Sequence, residues 1–282
     1  CNITDFSAEN LLRPPKAVGD EAEIEQLIAK TADSGYTLKY PKNGKFRSAI
    51  IMTDLDGNDS NEAVAFFRNS AETSSVHMLV MYSKDNSWEI ASDNIFETTD
   101  IDSVDFADLT GNGKAEIIVN STTYTPNVGK LSCYSYSEGK TNEVGSGQSC
   151  SSFVTGDFDN DGTSEIMSLV LYTTENEALA SMLDYNEDSK SLYAKAMANM
   201  DPNVVKYKNI AVTKLDNDIT GIVVDGTSAN EVTNTQVIFY SRDLAILRNP
   251  LFKEKAKNIT RRSSQIICSD TVSYTHLTLP TI

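Results

Sequence analysis

From Tyr36 onward, apolar residues alternate with polar ones in short runs, and clusters of Gly, Asn, Asp and Ser separate the runs. That two-residue period is the mark of strands with faces in different environments. The runs fall into four groups of four. The first group predicts strands over 48–52, 63–67, 76–82 and 88–91. The second predicts 104–109, 117–120, 131–136 and 142–144, and the third 153–158, 166–172, 178–185 and 191–196. The fourth predicts 209–215, 222–224, 235–240 and 245–247. Before them the period changes. Ile24, Leu27 and Ile28 share one face of a predicted helix over 19–32. Asp20 is its candidate N-cap, and Glu21, Glu23 and Glu25 suit the positive end of its dipole. Pro14 and Pro15 precede it and Ser34-Gly35 ends it. Its apolar face is expected to dock at an edge of the strand-rich region.

The turn between the first two strands of each group is acidic in a repeated way. The clearest copy is Asp157-Phe158-Asp159-Asn160-Asp161-Gly162-Thr163-Ser164-Glu165. It places carboxylates at positions 1, 3, 5 and 9 and glycine at position 6. A hard cation such as Ca²⁺ takes about six to eight oxygens at about 2.3–2.6 Å, and such a turn can supply them. An EF-hand begins alike but ends in Glu at position 12 between helices; here position 12 is Ser168 and the flanks are strand-like. The frame recurs from Asp54 to Glu62 and from Asp108 to Glu116, and Lys214 to Ile222 is a decayed copy. A fifth copy begins at Asp270. First positions at 54, 108, 157, 214 and 270 give steps of 54, 49, 57 and 56 residues. Recurrence in phase is a strong architectural signal.

Four antiparallel strands per unit of about 50 residues predict an all-β chain, a β-propeller of four-stranded antiparallel blades with a short N-terminal helix. About four blades and one further strand are present, so the propeller is partial. The loops at Asp54, Asp108 and Asp157, each ending in Glu before an apolar strand, resemble FG-GAP/VCBS repeats, the Ca²⁺-loop blades of integrin α-subunits and many bacterial surface proteins. The resemblance covers roughly 47–270 and implies Ca²⁺ in the hairpin loops. Carried over by position, the first loop's ligands are Asp54, Asp56, Asn58, the carbonyl of Ser60, and Glu62. The second loop's are Asp108, Thr110, Asn112, the carbonyl of Lys114, and Glu116. The third loop's are Asp157, Asp159, Asp161, the carbonyl of Thr163, and Glu165. Asp59 stands in the first loop's glycine slot, and the second loop has only two carboxylates, which predicts weaker binding there. The weaker loops fit an affinity of about 10⁻⁴–10⁻³ M. The fourth copy has Lys214, Ile219 and Ile222 at positions 1, 6 and 9 and is expected to hold no metal.

Composition narrows the partners. The chain has 282 residues, 40% hydrophobic and 23% charged, and a net charge of −16. Such a charge repels phosphate backbones, so nucleic acid is not an expected partner. No run of 18 apolar residues exists. The four cysteines, Cys1, Cys133, Cys150 and Cys268, match no zinc spacing. Cys133 and Cys150 could pair, or stand as two buried thiols. Cys1, followed by Asn-Ile-Thr-Asp-Phe-Ser, resembles a processed bacterial lipoprotein, the alternative being an arbitrary fragment start. Lipid on Cys1 would place the protein outside the cytoplasm, held to the membrane by that anchor alone. Residues 272–281 resemble a translated sequencing-adapter oligonucleotide, the alternative being a genuine strand. The expected organisation is a tether and helix over 1–46, a partial propeller over 47–271 and an adapter-derived tail over 272–282, cut within the fifth loop.

No catalytic constellation stands out. His77 lies in a strand and reads as structural, and neither Gly-x-Ser-x-Gly nor His-Glu-x-x-His occurs. Tyr124, Tyr134, Tyr136 and Trp88 could stack on a sugar, though packing is the commoner use. The expected function is therefore non-enzymatic: a Ca²⁺-stabilised extracytoplasmic binding or scaffold module for a protein or glycan, monomeric at full length. The alternative is a piece of a propeller hydrolase or lyase whose active residues lie in missing blades.

Overall fold

The structure, a computed structural model, describes residues 19–33, 35–125, 127–173, 175, 177–216 and 219–248. Cys1, the tail over 272–282 and the loop at Asp270 lie outside the described residues. Within them, one helix, α1 (Asp20–Ala32), precedes four antiparallel sheets. The first sheet holds β1 (Tyr36–Leu38), β2 (Ile50–Thr53), β3 (Glu62–Asn69), β4 (Val76–Lys84) and β5 (Ser87–Phe96). Its order is β1-β3-β4-β5, with β2 also pairing β3. The second sheet runs β6 (Ile101–Ala107), β7 (Glu116–Thr122), β8 (Gly129–Ser137) and β9 (Lys140–Cys150). The third runs β10 (Ser152–Gly156), β11 (Glu165–Tyr172), β12 (Glu177–Asn186) and β13 (Ser191–Asn199). The fourth runs β14 (Val204–Asp216), β15 (Ile219–Ser228), β16 (Thr233–Tyr240) and β17 (Leu244–Arg248). The described residues are thus all-β apart from α1. All sixteen predicted strands are present, in four groups of four.

The sheets stack face to face in chain order, because their central strands are apolar on both sides. On β3, Val64 and Phe66 point toward the second sheet and meet Ile101, Val104, Ile117 and Val119. Ala63, Ala65 and Phe67 point the other way, toward Ile24, Ile28 and Ala32 of α1. Leu109, Ile118, Leu131 and Cys133 meet Ile166, Leu183 and Leu192 between the second and third sheets. Met167, Leu169 and Leu171 meet Ile222, Val224 and Ile238 between the third and fourth. Burial of this kind stabilises by about 25 cal/mol per Å² of apolar surface, so the core is a series of inter-sheet seams.

Three details differ from the sequence reading. Asp20 is the first helical residue; Gly19 is the N-cap, at φ 65°, and no side chain caps the helix. α1 lies on the face of the first sheet at the end of the stack, with Trp88 N–H donating to Glu23 Oε2 at 3.3 Å. β1 is an additional strand, too short to show a period. The cysteine question resolves as two buried free thiols. Cys133 faces Gly145 while Cys150 faces Gly129, four positions away along β8, which is beyond disulfide reach. Burial pushes the Cys150 thiol up to about 12. In the fourth copy of the loop, β14 extends through Lys214 and Leu215, Lys214 pairs with Thr220, and Asn217 and Asp218 lie outside the described residues.

Candidate metal centre

The first three acidic turns each join a sheet's first loop-flanking strand to the next: β2 to β3, β6 to β7 and β10 to β11. Their backbones repeat. Position 4 is left-handed in all three, at Gly57 (φ 73°), Gly111 (φ 70°) and Asn160 (φ 61°). Position 6 is left-handed as well, at Asp59 (φ 64°), Gly113 (φ 78°) and Gly162 (φ 94°). Glycine, asparagine and aspartate are the residues that adopt this region with least strain.

Hydrogen bonds repeat with the backbone. The position-1 aspartate gathers N–H groups from across the turn. Asp54 Oδ1 accepts from Gly57 at 2.8 Å and Asn58 at 3.2 Å, and Oδ2 accepts from Asp59 at 2.9 Å. Asp108 accepts from Asn112 at 3.1 Å and Gly113 at 2.7 Å, and Asp157 from Gly162 at 3.2 Å. Desolvation alone would raise Asp54, but the N–H groups of Asp59, Gly57 and Asn58 hold it below the usual carboxylate value. The position-5 side chain accepts the N–H of position 7: Ser60 to Asn58 Oδ1 at 2.7 Å, Lys114 to Asn112 Oδ1 at 2.8 Å and Thr163 to Asp161 Oδ1 at 2.8 Å.

The position-9 glutamate begins the second strand and is buried in every copy. One of its oxygens accepts the position-2 N–H: Leu55 to Glu62 at 2.8 Å, Leu109 to Glu116 at 2.8 Å and Phe158 to Glu165 at 2.7 Å. Desolvation raises all three carboxyls. Glu165, fully buried, is pushed furthest, to about 8, with the charges of Asp159, Asp161 and Asp184 adding to the desolvation.

The loops differ in what converges. In the third, Asp157, Asp159, Asp161 and Glu165 each offer an oxygen within 4.8 Å of the others. In the first, Asp54, Asp56 and Glu62 do the same. In the second, Thr110 Oγ1 donates to Glu116 Oε1 at 3.2 Å, so a hydroxyl meets the oxygen that Glu165 leaves unpaired. The three turns lie side by side. Ala115 N–H donates to Leu55 O at 3.0 Å, and Ser164 N–H to Asp108 O at 2.9 Å. A Cβ on Gly57 would stand 3.2 Å from Gly113 O.

Two residues absent from the sequence reading join the third loop. Lys195 Nζ on β13 hydrogen-bonds Asp159 Oδ2, and it reaches Asp184 Oδ2 on β12 at 2.7 Å. Against its own desolvation, these two carboxylates hold the Lys195 ammonium above its usual value. A pairwise reading of the loop could not find Lys195, which lies 30 residues beyond Glu165.

Away from the loops, His77 is buried, stacked on Phe67 at 4.8 Å between centroids, with Nδ1 at 2.9 Å from Asp93 Oδ1. Trp88, Tyr134 and Tyr136 are buried in seams, whereas Tyr124 is 93% exposed. Comparison with protein-family models and with curated proteins found no match.

Whether these residues suit a divalent cation can be judged from their unpaired atoms. Asp56 Oδ1, Asp157 Oδ1 and Glu165 Oε1 are buried acceptors without a hydrogen-bond partner. Buried polar atoms are nearly always paired, and an isolated one costs about 1–3 kcal/mol. Among the described residues other buried polar atoms also lack a partner, Asn120 Oδ1 and Gln148 Oε1 among them, but the unpaired carboxylate oxygens all lie in the two loops with three or more converging carboxylates, where they fit a hard cation that takes oxygen ligands.

Proposed function

We propose that the chain is an arc of a β-propeller of FG-GAP/VCBS type whose first and third hairpin loops bind Ca²⁺. In this reading it serves as a non-catalytic binding or scaffold module for a protein or glycan. The observation that carries the reading is the third loop. Four carboxylates converge there, and Glu165, fully buried, turns an oxygen with no partner among them. Bound calcium supplies the divalent charge that lets these carboxylates ionise together. Asp157, Asp159, Asp161 and Glu165 would hold it in the third loop, with the carbonyl of Thr163. Asp54, Asp56, Asn58 and Glu62 would hold it in the first, with the carbonyl of Ser60. The second loop, closed by the Thr110–Glu116 hydrogen bond, acts as a spacer between them.

The chain's acidity and its proposed calcium loops suit an extracytoplasmic setting, where calcium is abundant. Calorimetry decides the metal question. Calcium should bind with heat at up to millimolar concentration and raise the melting temperature, and Glu165→Ala should remove the third-loop component. No heat and no thermal shift would end the reading. A glycan and peptide array probed with and without chelator then identifies the ligand class.

A further inference from the structure

A bulge recurs at one register in three of the sheets. Next to the position-9 glutamate, Ala63 pairs Met81, Ile117 pairs Tyr134 and Ile166 pairs Leu183. On the outer strands the register then slips at the same place each time. Val80 pairs Ser92 but Met81 pairs Ile90, leaving Ala91 extra. Cys133 pairs Gly145 but Tyr134 pairs Glu143, leaving Val144 extra. Met182 pairs Ala196 but Leu183 pairs Ala194, leaving Lys195 extra. A bulge re-aims the side chain it carries. Ala91 and Val144 pack into the apolar seams. Lys195 sits at the equivalent place, 5.9 Å from the centre of the Tyr240 ring, and turns its ammonium to the third loop.

The three loops therefore treat their third position differently. Asp56 leaves a buried oxygen unpaired. Thr110 closes its loop by donating to Glu116. Asp159, whose side chain is 8% exposed, is held by an ammonium. We propose that Lys195 is a tethered competitor for the third loop's cation: it holds Asp159 until a divalent ion takes that carboxylate, and then remains with Asp184. This rests on the calcium reading above. A fixed positive charge at a ligand oxygen must be displaced before a second cation can use it, so the third loop binds more weakly than its four carboxylates alone would dictate. Asp184, at 2.7 Å, gives the displaced ammonium an acceptor it already contacts.

The test uses the whole chain carrying Asp56→Asn, which silences the first loop, so that calcium heats report the third. Lys195→Ala and Lys195→Val place at the bulge the residues that the other two sheets accommodate there, so both variants should fold. Each is expected to bind calcium about fivefold more tightly than the Asp56→Asn parent, the factor corresponding to about 1 kcal/mol for a modest ion pair. In chelator both should melt lower than the parent, because Asp159 and Asp184 lose their cation, so the calcium-induced rise in melting temperature grows. Lys190→Gln, in the exposed turn between β12 and β13, removes a charge nearby without touching the loop. Unchanged or weaker binding in the Lys195 variants overturns the proposal, as does equal tightening by Lys190→Gln, which would mark a general field effect. If neither the parent nor any variant responds to calcium, the calcium reading falls and takes this proposal with it. A response in the parent that the Lys195 variants merely match overturns the competitor role alone.

Discussion

Replacing Glu165 by glutamine isolates the strongest electrostatic conflict in the structure. The carboxyl is fully buried, faces three aspartates and titrates at about 8 instead of its ordinary 4.5. Without metal, the folded chain thus holds this proton more tightly than the unfolded chain does. Its contribution to stability is complete below about pH 4.5 and is lost as pH rises through about 8. A shift of that size corresponds to a loss of about 5 kcal/mol at the alkaline end. Glutamine cannot ionise, keeps an oxygen for the Phe158 N–H and offers an amide to the aspartates. In chelator, urea denaturation from pH 4.5 to 9 should show the two proteins alike at the acid end, Glu165→Gln gaining steadily as pH rises from about 5 to about 8, and a constant gap above that. Saturating calcium should reverse the order, because the metal favours the ionised wild-type carboxylate. Parallel stability curves across that pH range would refute the reasoning, whatever calcium does.

Three further outcomes follow from particular contacts. Asp54→Ala removes the acceptor for Gly57, Asn58 and Asp59, so it should lower the melting temperature in chelator as well as in calcium; a loss confined to calcium would show that the cap has no structural role. Thr110→Asp breaks the bond that closes the second loop and adds a carboxylate, and calorimetry should then record one additional calcium per chain. Phe66→Ala empties the seam between the first and second sheets and should cost about 3–5 kcal/mol in urea denaturation, without altering calcium binding at the third loop.

The strands were legible because their apolar runs are bounded by turn residues. Where prediction fell short, it did so for local reasons. β5 and β9 run past their predicted ends, since Ser92, Asp93 and Asn94, or Gly145, Ser146 and Gln148, lack a period yet still pair with the neighbouring strand. Asp20 has the right chemistry for a cap, but the chain enters α1 through a left-handed Gly19. The loops were legible in their spacing, which also identified the converging carboxylates. Lys195 was not, because its role arises from a register slip that shows only when strands are paired. Nor could spacing alone reveal that Thr110 satisfies the oxygen that Glu165 leaves bare.

α1 lies flat on the outward side of the first sheet, on Ala63, Ala65, Phe67, Leu79 and Met81. That surface is where a neighbouring sheet would rest if the stack curved round to meet its own beginning. The helix thus works as a bookend: it covers with Ile24, Ile28 and Ala32 the apolar face that would otherwise stand open at this end of the stack. Prising Ile24 and Ile28 from that face would bare Ala63, Ala65 and Phe67 to water, a contiguous apolar patch that another surface would be drawn to cover.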